Sequence, residues 1–205
     1  NHIEKYKRQL KIMRMNGYRL LRLINNLIDI TRIDAGFYSL DLQNYDIISL
    51  VKTIVFSLED YISKQELQLE FCCDIDRLEM ACDPDKIERI LLNLLSNAVK
   101  FTQKGGELRV SIQKKDQDVM ISITDTGIGI PEEKLSSIFE RFIQVENTLT
   151  RNHEGSGIGL SLVKAIAEMH QGSVSVKSKV NKGSEFTVQL PIIRLEPEAV
   201  DRRKT

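Results

Sequence analysis

Five short stretches between residues 93 and 187 hold the side chains able to do chemistry. The first is Asn93-Leu-Leu-Ser-Asn97-Ala-Val-Lys100-Phe101. Asn93 and Asn97 are four apart, so on a helix they share a face, with Lys100 at the next turn. Two carboxamide oxygens beside an ammonium suit a hard cation such as Mg2+ that also keeps phosphate oxygens and waters. A polar stripe on an amphipathic helix has the same pattern. The second stretch is Asp125-Thr-Gly127-Ile-Gly129-Ile130, directly after the alternating run Val119-Met-Ile-Ser-Ile-Thr124. A strand there delivers a carboxylate to a sheet end, and two glycines let the chain turn tightly past a ligand. A carboxylate accepts from the 6-amino group of adenine, where guanine offers an oxygen. Alone, these residues are equally a capped turn.

The third stretch is Gly155-Ser-Gly157-Ile-Gly159-Leu160 at the mouth of a helix, where backbone N–H groups are presented to phosphate. Its spacing is neither the dinucleotide-binding GxGxxG nor a P-loop. Between the last two lies Phe139-Glu-Arg141-Phe142, followed by a polar run to Glu154. A segment flanked by glycine clusters can close over a nucleotide as a lid, with Arg141 reaching phosphates. The plainer reading is a surface helix whose two phenylalanines pack inward. The fifth stretch, Lys182-Gly183-Ser184-Glu185-Phe186-Thr187, is by itself a hairpin turn.

The elements that must position these residues follow from periodicity. Residues 3–34 carry no Pro and one Gly, with Leu10, Met13, Gly17, Leu20, Ile24 and Leu27 alternating at steps of three and four and Leu21 and Ile28 beside them. That is a heptad seam, which predicts a protruding bundle helix in need of a partner. Gly36 is placed to cap it in the left-handed region. Beyond it the pattern is mixed: a short strand over 40–45, a helix from the cap Asp46 to about Ser63, strands over 67–73 and 78–81, and a helix from Asp83-Pro84 to about Phe101. A hairpin follows over 107–124, then a short helix from Pro131 to Phe139, a helix over 159–170, and closing strands over 173–178 and 184–190.

Composition narrows the partners. Lys plus Arg equals Asp plus Glu at 29 each, so the formal net charge is zero and a bulk attraction to nucleic acid or an anionic membrane is not indicated. No apolar run approaches the roughly 20 residues of a membrane span, and the opening residues are not expected to be a leader. Cys72, Cys73 and Cys82 lack metal spacing and read as small apolar residues in a reducing compartment. The expected location is the cytoplasm, and membrane anchoring of a longer parent protein is left open.

Taken in order and spacing, the five stretches resemble the nucleotide-binding boxes of sensor histidine kinases. Leu27-Ile-Asp-Ile-Thr-Arg-Ile-Asp-Ala-Gly36 is similar to that family's junction between dimerisation helix and catalytic domain. The resemblance covers residues 20–191. It implies an α+β fold, a two-layer α/β sandwich with a mixed sheet of about five strands preceded by one long bundle helix. It divides the chain into the second helix of a dimerisation hairpin (1–36), a catalytic ATP-binding domain (37–193) and a tail (194–205). The implied ligands are ATP and Mg2+. Asn97 resembles the metal ligand and Asn93 its support. Lys100 and Phe101 line the phosphate and sugar side. Asp125 resembles the adenine-reading carboxylate, backed by Gly127, Gly129 and Ile130. Arg141 is placed to meet the γ-phosphate. Gly155, Gly157, Gly159 and Leu160 form the phosphate loop, and Thr187 helps hold water near adenine. The implied activity is ATP-dependent phosphorylation of a histidine, with onward transfer to an Asp of a response regulator, in a protein that is a homodimer at full length.

One departure matters. The family's acceptor histidine sits in a Ser-His-Glu-type box with a following Pro, and none of His2, His153 or His170 matches it. The acceptor helix is therefore expected upstream, and this chain is not expected to autophosphorylate alone. Gyrase-like, chaperone and mismatch-repair ATPases carry an acidic residue where this chain has Asn93. Anti-sigma-factor serine kinases lack the long helix. A degenerate scaffold that binds no nucleotide would not need intact boxes.

Overall fold

The computed structural model describes residues 2–143 and 157–196. The chain opens with α1 (His2–Asp34), 33 residues long. Its end is closed as expected: Gly36 has φ +70°, its N–H bonds Ile33 O at 3.0 Å, and Phe37 N–H bonds Arg32 O at 2.9 Å. This paired closure satisfies carbonyls that the last helical turn would leave open.

A two-stranded antiparallel ribbon then joins β1 (Gln43–Asp46) to β2 (Glu79–Cys82). Between them come α2 (Ile47–Ser57), α3 (Glu59–Lys64) and β3 (Gln68–Cys73). The single helix expected from Asp46 to Ser63 is thus two. Ser57 Oγ bonds Ile54 O at 2.6 Å, and Leu58 leaves the helix at φ −99°, ψ −3°. Such a hydroxyl offers the carbonyl an alternative to the helical bond, and the break lets Ile62 turn fully inward. After β2 runs α4 (Pro84–Phe101), capped by Asp83 with Pro84 in its first turn as anticipated. Next come β4 (Glu107–Lys115), β5 (Asp118–Asp125) and α5 (Glu132–Leu135). α5 is shorter than the helix expected through Phe139; turns continue the path and bury Ile138. The chain closes with α6 (Gly159–Met169), β6 (Ser173–Lys179) and β7 (Gly183–Pro191).

The main sheet is mixed, with strand order β3-β4-β5-β7-β6; β3 and β4 are parallel and the other pairs antiparallel. Burial alternates along β4, β5 and β7, so one face is covered by helices and the other is half-exposed. Ile121, Ile123, Val188 and Leu190 meet Leu91, Leu94, Leu95, Leu162 and Ile166 in one continuous core.

α1 serves two surfaces. Leu10, Met13, Leu20, Ile24 and Leu27 are 65, 69, 58, 44 and 45% exposed, so the heptad seam stands free of this chain. At the other face Asn26, Asp29 and Ile30 are buried and Ile33 packs on the core, at the three- and four-residue spacing of one helix face. Asp29 forms an ion pair with Arg89 of α4. Removing one partner of a buried pair leaves an uncompensated charge, at about 3–5 kcal/mol for full burial, while removing both is far milder. Arg89 is partly exposed, so Arg89→Leu is expected at or below about 3 kcal/mol of destabilisation. Adding Asp29→Leu should recover much of it. Equal, additive losses in a double-mutant cycle read by urea unfolding would show that the pair is not coupled.

Candidate functional site

The inner face of the sheet is apolar along most of its length and becomes polar at one end. Asp125 at the end of β5 is opposite Ser184 of β7, and Ser184 is opposite Ser178 of β6. The next row inward is Ile123, Phe186 and Val176. Asp125 is 6% exposed, and a charge there requires compensation. Its Oδ1 accepts from Gly127 N–H at 2.8 Å, and the Ser184 N–H also bonds it. Burial pushes its carboxyl above the usual carboxylate range, while the two backbone N–H groups pull it back.

The loop after β5 is fixed on two sides. Toward α4, Ile128 N–H bonds Phe101 O at 3.2 Å, and a Cβ on Gly127 would collide with that carbonyl and sit 2.7 Å from Asp125 Oδ1. Toward the β6–β7 turn, Asn181 N–H bonds Ile128 O at 2.8 Å, and Ile130 N–H bonds Ser178 Oγ at 2.8 Å. Gly129 has φ +68° and lies against the Lys179 carbonyl, so both conformation and space demand glycine there.

α4 carries the asparagines. Asn93 is buried, and its Nδ2 donates to Arg89 O at 2.9 Å. That bond orients the amide so that Oδ1 faces Gly159, where a Cβ would lie only 2.9 Å away. The first stretch and the third therefore touch, at the N-terminus of α6. Asn97 and Lys100 are half-buried further along α4, and the Lys100 ammonium lies 4.6 Å from the centre of the Phe101 ring. Leu160 packs on the core. Gly157 has φ +68° and its carbonyl accepts from Phe142 N–H at 3.0 Å, which ties together the two chain ends flanking residues 144–156. Gly155 and His153 lie outside the described residues.

Two expectations change. Of the phenylalanines flanking Arg141, Phe139 packs edge-on against Phe186 (6.4 Å, 86°), but Phe142 is 65% exposed. Phe142 has φ +63°, which points its side chain off the inward course. Arg141 is exposed beside it. Thr187, expected near the base, lies on the opposite face of the sheet, bonded to Ser122 at 2.8 Å. Ser184 occupies the row of Asp125 instead. The period of two contains the signal: Phe186 points inward, so Ser184 does too and Thr187 points away.

A divalent cation fits this site only in company. Among the described residues no group of three or more His, Cys, Asp or Glu side chains is placed to hold a metal. Asn93 Oδ1 and the neighbouring Asn97 supply the neutral oxygen donors suited to Mg2+ that keeps phosphate oxygens and waters. Among the described residues no helix is long and apolar enough to cross a membrane.

His170 is structural. It closes α6 and is 7% exposed; Nε2 accepts from Asp83 N–H at 3.1 Å, and Nδ1 lies 2.9 Å from Ile166 O. Accepting at one nitrogen and donating at the other requires the neutral ring. Burial pushes its pKa down from 6.5, against the Ile166 carbonyl and the Asp83 carboxylate and with Lys86. The neutral form is thus favoured on folding. Its contribution is complete above pH 6.5 and is lost as pH falls below 6.5 toward the lowered folded value. The melting-temperature gap between wild type and His170→Gln should narrow on acidification from about pH 8 to about pH 5.5. A constant gap would remove His170 from the acid sensitivity.

Residues 82–194 match the family described as Histidine kinase-, DNA gyrase B-, and HSP90-like ATPase. The circadian input-output histidine kinase CikA of Synechococcus elongatus is 33% identical over 190 residues, 92% of this chain and 25% of that protein. The structure of full-length ShkA in complex with AMPPNP superposes with a TM-score of 0.79 at 26% identity, covering 93% of this chain and 40% of that one. Histidine kinase ThkA, solved in complex with response regulator protein TrrA, shares the fold (TM-score 0.72, 21% identity, 92% and 52% covered). The chain spans between 12% and 36% of the length of the first three curated relatives.

Proposed function

Because the chain belongs to the histidine kinase-, DNA gyrase B- and HSP90-like ATPase family, we propose that it is the catalytic ATP-binding domain of a sensor histidine kinase in two-component signalling. In this reading it transfers the γ-phosphoryl group of ATP to a histidine outside this chain, and the group passes on to a response-regulator aspartate. Residues 1–36 are then the second helix of a dimerisation hairpin, 37–193 the catalytic domain and 194–205 a tail. The observation that carries the reading is that α4 meets both glycine stretches: its Phe101 end holds the loop after the buried Asp125, and its Asn93 amide faces Gly159 at the mouth of α6.

The division of labour follows from chemistry. Asp125 accepts from the adenine amino group, and the glycines at 127 and 129 let the base approach the backbone. Gly157 and Gly159 turn backbone N–H groups toward phosphates at the start of α6. Lys100 and Arg141 neutralise charge, and Asn97, supported by Asn93, holds Mg2+. The cation, when bound, screens the phosphate oxygens as charge develops on them. Phosphoryl transfer asks a protein mainly for alignment and charge neutralisation, and these residues offer both. His170 is no acceptor in this scheme, since both ring nitrogens are engaged. The ThkA–TrrA complex supports a response regulator as partner, and the exposed seam of α1 supports pairing with the acceptor helix and a second protomer.

Millimolar Mg·ADP should raise the melting temperature, by about 2.7 kcal/mol of stability at 100 times its dissociation constant. Mixed with labelled ATP and a separate polypeptide carrying an acceptor helix, the protein should label that helix slowly and itself not at all. Slowness reflects the absent covalent link. Binding without any transfer would favour a scaffold; no binding would sink the reading altogether.

Asn97→Asp tests the metal assignment. A carboxylate alters the charge around the cation and repels phosphates. Transfer should fall at least about tenfold, a barrier change of about 1.4 kcal/mol. Transfer at the wild-type rate would remove Asn97 from the metal.

A further inference from the structure

The polar row at the sheet end has a third member for which the chemistry above has no use. Ser178 lies on the inner side of β6, in line with Val174 and Val176, and is half-buried. Its hydroxyl makes three hydrogen bonds: Ile130 N–H at 2.8 Å, Gly183 O at 2.8 Å and Ser184 Oγ at 2.9 Å. A serine hydroxyl has one proton and two lone pairs. Ile130 N–H can only donate and Gly183 O can only accept, so the Ser178 proton goes to Gly183. The remaining bond must then be donated by Ser184. That fixes the Ser184 hydroxyl as well: its proton points toward β6, and its remaining capacity is acceptance. Ser184 is 7% exposed and lies beside Asp125, which it bonds through its backbone N–H.

We propose that Ser178 is a positioning residue for base selection: it turns Ser184 into an acceptor beside the Asp125 carboxylate and pins the 127–130 loop to the β6–β7 turn. The inference rests on the reading of this site as the adenine pocket. Two adjacent acceptors, one anionic and one neutral, favour a ligand edge or a bridging water that donates. An exocyclic amino group meets that demand, whereas a 6-oxo group in its place faces lone pairs. Without Ser178 the Ser184 hydroxyl is free to rotate and donate, and the penalty against a 6-oxo purine shrinks. Loop 127–130 also loses one of its two bonds to the turn, the other being Asn181 N–H to Ile128 O. Ser178 touches no ligand in this account; it acts through Ser184 and Ile130.

The test compares ATP with inosine triphosphate in a displacement assay with Mg2+. Ser178→Ala is expected to weaken ATP about three- to tenfold, the range for one lost hydrogen bond, and to leave inosine triphosphate unchanged or tighter. Selectivity falls accordingly. Ser178→Thr keeps the hydroxyl and should restore it. Equal weakening of both nucleotides, or no change in either, overturns the proposal. Should Ser178→Ala fail to fold, amide exchange in the wild type decides. The Ile130 N–H is expected to be protected without nucleotide, and exchange at the rate of an open loop overturns the pin. Asp125→Asn separates the two levels. If it abolishes preference for ATP while Ser178→Ala does nothing, only the role of Ser178 falls. If the wild type shows no preference between the nucleotides, the adenine reading itself falls.

Discussion

A carboxylate set inside a protein must be held by donors or it protonates, and Asp125 governs the architecture around it for that reason. Its donors are backbone N–H groups from two places: Gly127, two residues on, and Ser184, across the β5–β7 ladder. Backbone donors come close only where side chains do not intervene. Gly127 packs against the Phe101 carbonyl, and Gly183, at φ +95°, packs against the backbone of Asp125 itself. Any Cβ at either position collides with peptide atoms, which cannot swing aside as a flexible side chain can. The glycines of the second and fifth stretches are thus two halves of one enclosure, although Gly183 comes 56 positions after Gly127 in the chain.

The sheet makes that enclosure rigid. β5 is central, flanked by β4 and β7, and its inner face is sealed by isoleucines under α4 and α6. The core ends where Asp125 begins, so the carboxylate marks the boundary between a packed interior and a site open to polar ligands. α4 and α6 are fixed to the same sheet and meet where Asn93 Oδ1 faces Gly159. At the far end of the same two helices, His170 bonds the Asp83 N–H at the entrance to α4. α6 is thus joined to α4 at both of its own ends, by the mid-helix Asn93 amide against Gly159 and by the His170 imidazole against the Asp83 cap. Local order at the site follows from this framework more than from propensity.

Much of this was legible in sequence, for identifiable physical reasons. The run from Asp83-Pro84 to Phe101 carries its own start signal and a clean helical period, and α4 has those bounds. The alternation over 107–124 predicts a hairpin, and β4 and β5 form it with its outer bounds one residue away at most. What failed was context. The break at Leu58 depends on Ser57 bonding its own helix and on Ile62 needing burial, neither of which a period reveals. α5 ended early because Ile138 and Phe139 follow the core rather than a helical repeat. Thr187 was misplaced because resemblance supplies a motif without its face, whereas parity with the inward Phe186 supplies the face. Ser178 was invisible to motif reading: its significance is a register partner, and register appears only when the strands are paired.

α1 shows how one element can belong to two packing units. A helix packs through a stripe, and two stripes on different faces bind two surfaces at once. Among the described residues, the stripe of Asn26, Asp29, Ile30 and Ile33 lies in the last turns and against the nucleotide-binding fold, with Asp29 paired to Arg89. The stripe of Leu10, Met13, Leu20, Ile24 and Leu27 runs most of the length and faces away. Apolar side chains this exposed over several turns form the kind of surface that a partner helix would cover. The short stripe then sets the angle at which the nucleotide site is carried on whatever covers the long one. The ion pair adds register to the apolar contact: Asp29 is buried, and its desolvation goes uncompensated when Arg89 is displaced. A shift of α1 along its axis by one residue, about 1.5 Å, would misalign Asp29 with Arg89, which lies one turn before Asn93. The helix register and the asparagine that faces Gly159 are therefore read out on the same turn of α4.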